Sequence, residues 1–184
     1  QIKQALEKLA QIAKDRHQGA LEVFTSIAYG ADLLMADAAM EQKLPLHIVI
    51  PKPVENHDET KQLPNDKGFA ADFWDKKEDG SKVFREEDWK AALGHIVEAR
   101  KGTYGGSLRL VRGAQTSPEC YYDAGVQMVD VSDVIIAVWD EKEAKGLGGT
   151  ADVVELARKR AMPLIWIHSD TGEVKEERME KFAA

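Results

Sequence analysis

The chain has 184 residues, 43% of them hydrophobic and 31% charged, and a formal net charge of −7. This length can bury a core of its own, so the composition suits a single α/β domain spanning residues 1–184. The negative charge argues against sequence-independent nucleic-acid binding, which requires a basic surface. Cys120 is the only cysteine and no apolar run approaches the ~20 residues that span a bilayer, so we expect a cytoplasmic protein without a disulfide or a membrane partner.

The first part of the chain alternates amphipathic helices with short apolar runs. Ile2, Leu6 and Leu9 have the spacing of one helix face. Because the chain begins inside this helix, we expect that an upstream piece of the protein is missing. The predicted elements are a helix from residue 2 to about 17, a strand at 21–25, a helix from 31 to about 43, and a strand at 46–50 that ends at Pro51.

An acidic insertion follows, at about residues 52–88. Its hydrophobic periodicity is weak, but aromatic residues recur through it, so we expect short packed helical pieces instead of disorder. Two roles remain open for it, a lid and an oligomer contact. The aromatic residues are Phe69, Phe73, Trp74, Phe84 and Trp89.

The second half of the chain contains the most continuous apolar strand. Residues 134–139, Val-Ile-Ile-Ala-Val-Trp, do not alternate with polar residues, which is typical of a central parallel strand covered on both faces. The other elements predicted here are a helix at 86–101, a strand at 108–111, a helix that starts at Ser117-Pro118-Glu119, a helix that ends near Ala161, a strand at 163–167 and a charged terminal helix at 174–182.

The alternation of five strands with helices predicts the fold class. We expect a three-layer Rossmann-like parallel sheet with helices on both faces. In such sheets, ligands bind outside the carboxyl ends of the strands. Two strand-to-helix turns, at 26–32 and at 140–150, would meet at that edge.

The turn at residues 146–150, Gly-Leu-Gly-Gly-Thr, opens a helix with paired glycines. The amides of Gly148, Gly149 and Thr150, together with the positive end of the helix dipole, are suited to an anion such as a phosphate. The alternative is that the glycines serve only the backbone geometry and the threonine caps the helix. Ser26 and Gly30 would form the second wall of the site.

Four further side chains each have two interpretations. Asp32 accepts a hydrogen bond from a ribose hydroxyl, or it is an ordinary acid in the first turn of a helix. Asp140, at the end of the central strand, contacts the ligand or lies outside the site. Tyr122 stacks on a base or belongs to the core. Glu155 is a general acid or base, or a solvated helix acid; the histidines share no spacing, so no metal site is predicted.

A series of short motifs resembles one known superfamily. In chain order the motifs resemble the Smf/DprA–LOG (SLOG) superfamily of Rossmann-like proteins, in a bacterial branch related to LOG and lysine-decarboxylase-like proteins. The resemblance covers most of the chain except the acidic insertion, and it implies a nucleotide-related ligand, a strand before the first helix and a homo-oligomer. The motifs are Ser26-x-Ala28-x-Gly30-Ala31-Asp32, Leu46-His47-x-Val49-x-Pro51, Tyr122-x-x-Gly125, Ser132-Asp133-x-x-x-Ala137-Val138-Trp139-Asp140 and Gly148-Gly149-Thr150-Ala151-Asp152-Val153-Val154.

One motif of the enzymatic LOG branch is incomplete in this chain. Phosphoribohydrolases of that branch carry Pro-Gly-Gly-x-Gly-Thr-x-x-Glu. Gly149-Thr150 match its Gly-Thr, but Val153 stands at the glutamate position and the Pro-Gly-Gly run is absent. The resemblance therefore implies ligand binding more than hydrolysis.

Three functions follow as hypotheses. The first is a sensor-like domain that binds a nucleotide or a nucleotide derivative of the phosphate or ADP-ribose type, without another cofactor. The second is an N-glycosidase of the phosphoribohydrolase kind, in which Glu155, Asp140 or Asp32 stabilises positive charge at the anomeric carbon. The third is a non-catalytic assembly module whose functional surface is the acidic insertion.

Overall fold

The computed structural model describes residues 1–17, 19–54, 68–111, 119–143 and 147–183. Within them, no helix is long and apolar enough to cross a membrane. Short 3-10 turns lie at Gly68–Phe73 and Thr103–Gly105. The helices are α1 (Ile2–Arg16), α2 (Ala31–Glu41), α3 (Glu86–Lys101), α4 (Glu119–Val131), α5 (Thr150–Lys159) and α6 (Glu180–Ala183), and the strands are β1 (Val23–Thr25), β2 (Leu46–Ile50), β3 (Trp74–Lys76), β4 (Lys82–Phe84), β5 (Ser107–Leu110), β6 (Ile135–Trp139), β7 (Leu164–His168) and β8 (Val174–Glu177).

Hydrogen bonds divide the described strands into three sheets. The first has the order β1–β2–β5 and is parallel throughout. In the second, β7 pairs in parallel with β6 and antiparallel with β8. A small hairpin of β3 and β4 makes the third. The α/β class predicted from the sequence is confirmed, with a three-stranded parallel sheet flanked by helices.

The two faces of the first sheet can be read from successive residues of β2. Ile48 and Ile50 pack into a core with α2 and α3, where Ala36 and Ile96 are fully buried. Val49 packs on the opposite face against Ala124 of α4. Because neighbouring residues of a strand point to opposite faces, this sheet has helices on both of its sides.

The second sheet is also covered on both faces. Trp166 of β7 packs on one face with Val154 of α5, whereas Ile165 and Ile167 pack on the other with Leu9 of α1. Leu6, also on α1, belongs to the core of the first sheet. Helix α1 therefore lies across both sheets and holds them in one structure.

The described part of the acidic insertion contributes to the core. Phe69, Phe73 and Trp89 are almost completely buried. The Phe73 and Trp89 ring centroids lie 5.1 Å apart in an edge arrangement, and those of Trp74 and Phe84 lie 5.0 Å apart across the β3–β4 hairpin. The expected packing by aromatic residues is thus present, although the hairpin itself was not predicted. Residues 55–67 of the insertion, and Ser117 and Pro118 before α4, lie outside the described residues.

The charged helix predicted at residues 174–182 is wrong. Val174–Glu177 forms the edge strand β8, and a helix begins only at Glu180. The strand follows a tight turn in which the His168 amide donates to the Glu173 carbonyl at 2.8 Å. Its acids then reach helices on opposite faces: Glu176 pairs with Lys8 of α1 and Glu177 with Arg158 of α5.

Candidate functional site

A cleft of about 860 Å³ lies between β1 and β6. Its length follows both strands, from Gly19 and Ser132 at their amino ends to Ser26 and Gly149 beyond their carboxyl ends. Tyr121 of α4 links the carboxyl ends of β2 and β6: Lys52 Nζ lies 4.6 Å from its ring centroid, and a Cβ added to Gly148 would lie 2.5 Å from its carbonyl carbon. The strand ends of both sheets therefore meet at one edge, as the sequence predicted for the two turns.

The turn after β1 is organised by one enclosed acid. The Ser26 hydroxyl and the Ala28 amide both donate to Asp32 Oδ2, the latter at 3.2 Å. Asp32 retains some exposed surface as a residue and lines the cleft, but its carboxyl group is enclosed by protein atoms. Loss of hydration raises the pKa of this carboxyl, and the hydrogen bonds from Ser26 and Ala28 oppose that rise.

The turn before α5 is partly closed by its own helix. The Gly148 amide donates to Asp152 Oδ2 at 2.7 Å, so this donor is already satisfied. Gly149 is the N-cap of α5 and Thr150 its first residue. For the amides of these two residues, no acceptor is recorded among the described residues. The three donors expected from the sequence therefore reduce to two, and both residues line the cleft.

A second buried carboxyl stands behind Tyr121. The Tyr121 hydroxyl donates to Asp72 Oδ1 at 3.0 Å, whereas Asp72 Oδ2 is buried and has no hydrogen-bond partner among the described residues. Burial raises the pKa of Asp72, against the effects of Tyr121 and of the nearby Lys52 ammonium. Burial and the Asp72 charge also raise the pKa of the Tyr121 phenol strongly. The site thus contains two acids, Asp32 and Asp72, that hold protons more tightly than usual.

Sequence reasoning missed this second group. Tyr121 lies in the cleft wall, whereas its neighbour Tyr122, which was chosen from the sequence, does not. Asp72 and Tyr121 are 49 residues apart, and Asp72 lies in a stretch without clear periodicity. The predicted end of a strand at Pro51 was the one local signal that pointed to this corner, because ligands bind at the carboxyl ends of such strands.

Several predicted site residues lie elsewhere. Asp140 is not in the cleft lining; it accepts hydrogen bonds from the Lys142 amide at 3.1 Å and ammonium at 2.8 Å, which lower its pKa. Glu155 is also outside the lining and pairs with Lys159 at 2.7 Å, with 63% of its side chain exposed. Gly30 caps α2 at φ +102° but does not line the cleft. Of the predicted residues, the cleft brings together Ser26, Asp32, Gly148, Gly149 and Thr150.

The surroundings of the cleft narrow its chemistry. Among the described residues, no group of three or more histidine, cysteine or acidic side chains could hold a metal ion. Burial raises the pKa of the Cys120 thiol, which disfavours its reactive thiolate form.

No protein-family model, curated protein or solved structure matches the chain. The interpretation of the site therefore depends on its own geometry.

Proposed function

We propose that the chain binds a nucleotide-type ligand, with a phosphate or ADP-ribose-like group, at the carboxyl end of the cleft, and that it acts as a sensor-like domain. The observation that supports this most is the start of α5. There Gly149 and Thr150 line the cleft, and no acceptor for their amides is recorded among the described residues. Two such amides and the positive end of a helix dipole are suited to one anionic group.

The opposite wall supports a sugar phosphate over a simple anion. Asp32 lines the cleft, and a carboxylate at this position would accept a hydrogen bond from a sugar hydroxyl that reaches it. Lys52, over the outer face of Tyr121, adds a positive charge at the same edge. Donors for an anion on one side and an acceptor for hydroxyls on the other are the groups that a ribose phosphate requires.

The substitution Thr150→Pro tests the anion site directly. Proline is favoured at the first position of a helix, and Gly149 has φ −74° and ψ 173°, a conformation that a residue before proline adopts. The variant thus removes one amide donor and the hydroxyl while keeping the helix. Thr150→Ala is the matched control, because it removes the hydroxyl alone.

Binding of ADP-ribose, AMP and inorganic phosphate is measured by calorimetry and by thermal shift. We expect Thr150→Pro to weaken binding about tenfold or more, since a hydrogen bond to a charged group is lost, and Thr150→Ala to weaken it less. Unchanged affinity in Thr150→Pro, or no binding of any probe by the unmodified chain, would contradict the proposal.

A second candidate function is N-glycosidic hydrolysis, and the enclosed Asp32 favours it. A carboxyl that holds its proton can give that proton to the departing base nitrogen while the C–N bond breaks. Water then forms the new C–O bond at the anomeric carbon and returns a proton to the carboxylate. Chromatography of AMP incubated with the protein should show free base, and Asp32→Asn should abolish it; no release would remove this candidate and leave the binding proposal intact.

The assembly module receives less support. A module that acts only through the acidic insertion needs no polar groups at the strand ends. The carboxyl end of the cleft is nevertheless lined by polar groups such as Ser26 and Thr150.

A further inference from the structure

The cleft is bordered by the backbone edges of two strands. The Val23 amide donates to the Pro45 carbonyl at 2.9 Å, on the side of β2, so the peptide groups of the next residue, Phe24, point the opposite way, into the cleft. The Ile135 amide donates to the Pro163 carbonyl at 3.0 Å, on the side of β7, so those of Ile136 and Val138 also point into the cleft. Among the described residues, no strand pairs with either of these edges.

The size of the cleft fits one strand. Neighbouring strands lie ~4.8 Å apart, packed layers lie ~10 Å apart and each residue advances ~3.3 Å, so a strand residue fills a block of about 160 Å³. Five residues would therefore fill about 800 Å³, close to the 860 Å³ of the cleft. Five is also the length of β6.

The walls indicate what kind of strand would fit. Leu6 and Leu9 of α1 line one face of the cleft, and Ala124 and Met128 of α4 line the other. A strand between two apolar helix faces is apolar on both sides, as in parallel sheets covered by helices. Strand edges that pair with no other described strand also provide the hydrogen bonds that such a strand needs.

The position of Gln1 indicates how the strand would be connected. Gln1 lies beside Gly172, in the turn that follows β7, since its Cγ would be 3.9 Å from a Cβ on Gly172. Helix α1 therefore starts at the carboxyl edge of the sheets, and it ends at the amino edge, where residues 19–22 lead into β1. A strand in the cleft that ends at the carboxyl edge would reach Gln1 by a short turn and complete a strand–helix–strand unit.

We propose that the cleft receives a β-strand of about five apolar residues, parallel to β1 and β6 and joined through a short turn to Gln1. The strand pairs with both open edges and unites the two sheets into one. The turn between this strand and Gln1 then lies at the carboxyl edge, next to Ser26 and Gly149. This inference depends on the strand edges and the cleft, and not on the proposed ligand.

The test compares the 184-residue chain with the same chain extended before Gln1 by Val-Ile-Val-Val-Val and the turn Gly-Ser-Gly. Amide hydrogen exchange is measured by NMR. We expect exchange at Phe24, Ile136 and Val138 to slow by about 100-fold or more, because hydrogen-bonded amides in a sheet exchange only through opening. The amides of Val23 and Ile135, already paired, should change less, and the thermal midpoint should rise.

Two controls test whether the protection comes from a paired strand that is joined to Gln1. The same eight residues placed after residue 184 should give no protection, nor should an extension before Gln1 with prolines at its second and fourth positions, which cannot pair. Equal protection by the extension after residue 184, or by the free peptide, would overturn the connection to Gln1. If the three amides are already slow in the unextended chain, or slow only as its concentration rises, the cleft is closed by the chain itself or by a second copy, and the proposal fails.

Discussion

The turn after β1 and the turn before α5 use the same hydrogen bond in different surroundings. In the first, the Ala28 amide donates to Asp32; in the second, the Gly148 amide donates to Asp152. Each acid lies in the first turn of a helix and accepts from an amide four residues earlier, which lies before the N-cap, so the bond ties the preceding turn to the start of the helix. Asp32 also binds the Ser26 hydroxyl and is enclosed, whereas only the Gly148 bond is recorded for the Asp152 side chain.

The glycines of the two turns also differ, and here the second turn is the more closely packed. Gly30 has φ +102° with nothing within 4 Å of an added Cβ. Gly148 has φ +88°, and an added Cβ would lie 2.4 Å from the Tyr122 amide nitrogen. The first turn is thus held by its acid and open at its glycine, whereas the second is held by close packing of its glycine on α4.

Alanine substitutions at the two glycines should give the largest difference in stability between the two turns. Gly148→Ala adds a clash with the α4 backbone to the strain of positive φ, so we expect a loss of about 4 kcal/mol in the free energy of unfolding. Gly30→Ala introduces the backbone strain alone, and we expect about 2 kcal/mol. Urea denaturation of both variants gives the difference; equal losses would mean that the contact with Tyr122 relaxes without cost.

The pH dependence of stability should identify the enclosed acid of the first turn. Because the pKa of Asp32 is raised above 3.8, the folded chain binds this proton more tightly than the unfolded chain. The contribution of Asp32 to the free energy of unfolding therefore falls as pH rises from 3.8 through the raised pKa, and the loss is complete above it. Asp32→Asn should remove this part of the profile in urea titrations at successive pH values.

Burial also raises the pKa of Asp72, and the Asp32 charge raises it further, so Asp32→Asn should in addition lower the Asp72 pKa and reduce its part of the decline. Ser26→Ala is the directional control. It removes a bond that favours the charged carboxylate, so the decline should extend to higher pH. Parallel profiles for the unmodified chain and Asp32→Asn would show that Asp32 is not enclosed in solution.

Removing the acid of the second turn should have a smaller effect. Asp152→Ala leaves the Gly148 amide without its acceptor, and we expect a loss of about 1 kcal/mol, as for other helix caps. Asp152→Asn keeps an acceptor oxygen and should lose less. Thermal and urea unfolding of the two variants test this; a loss as large as that of Gly148→Ala would show that the cap, and not the glycine packing, holds the turn.

The parts of the fold that were predicted correctly are those with a strong local pattern. Helix Glu86–Lys101 was predicted with the bounds that the structure has, because its apolar residues keep one phase and Gly102 ends it at φ +73°. A strand was predicted at 134–139 from an uninterrupted apolar run, and the structure has it at Ile135–Trp139. Both signals are contained within the element itself.

The parts that were missed depend on partners far along the chain. The residues of β8 have the composition of a helix, but Glu176 and Glu177 face α1 and α5, and backbone pairing with β7 decides their conformation. At the site, no local pattern indicates the hydrogen bond between Tyr121 and Asp72. The Gly148 amide, which the glycine pattern predicted as a donor to a ligand, instead donates to Asp152. Local propensity does not indicate which backbone amide will donate to a side chain of the same protein.

The smallest effect is expected from Glu155, on the outer face of α5. Glu155→Gln breaks an exposed pair with Lys159, so neither stability nor ligand binding should change measurably. Thr150→Pro, about 1.4 turns earlier on the same helix, should weaken binding, because Thr150 lines the cleft and the variant removes its amide donor. Calorimetry with ADP-ribose on both variants therefore maps which face of α5 the ligand uses. Equal weakening of binding by both variants would mean that Glu155 is also part of the site. An exposed acid that pairs only with Lys159 should not otherwise affect ligand binding.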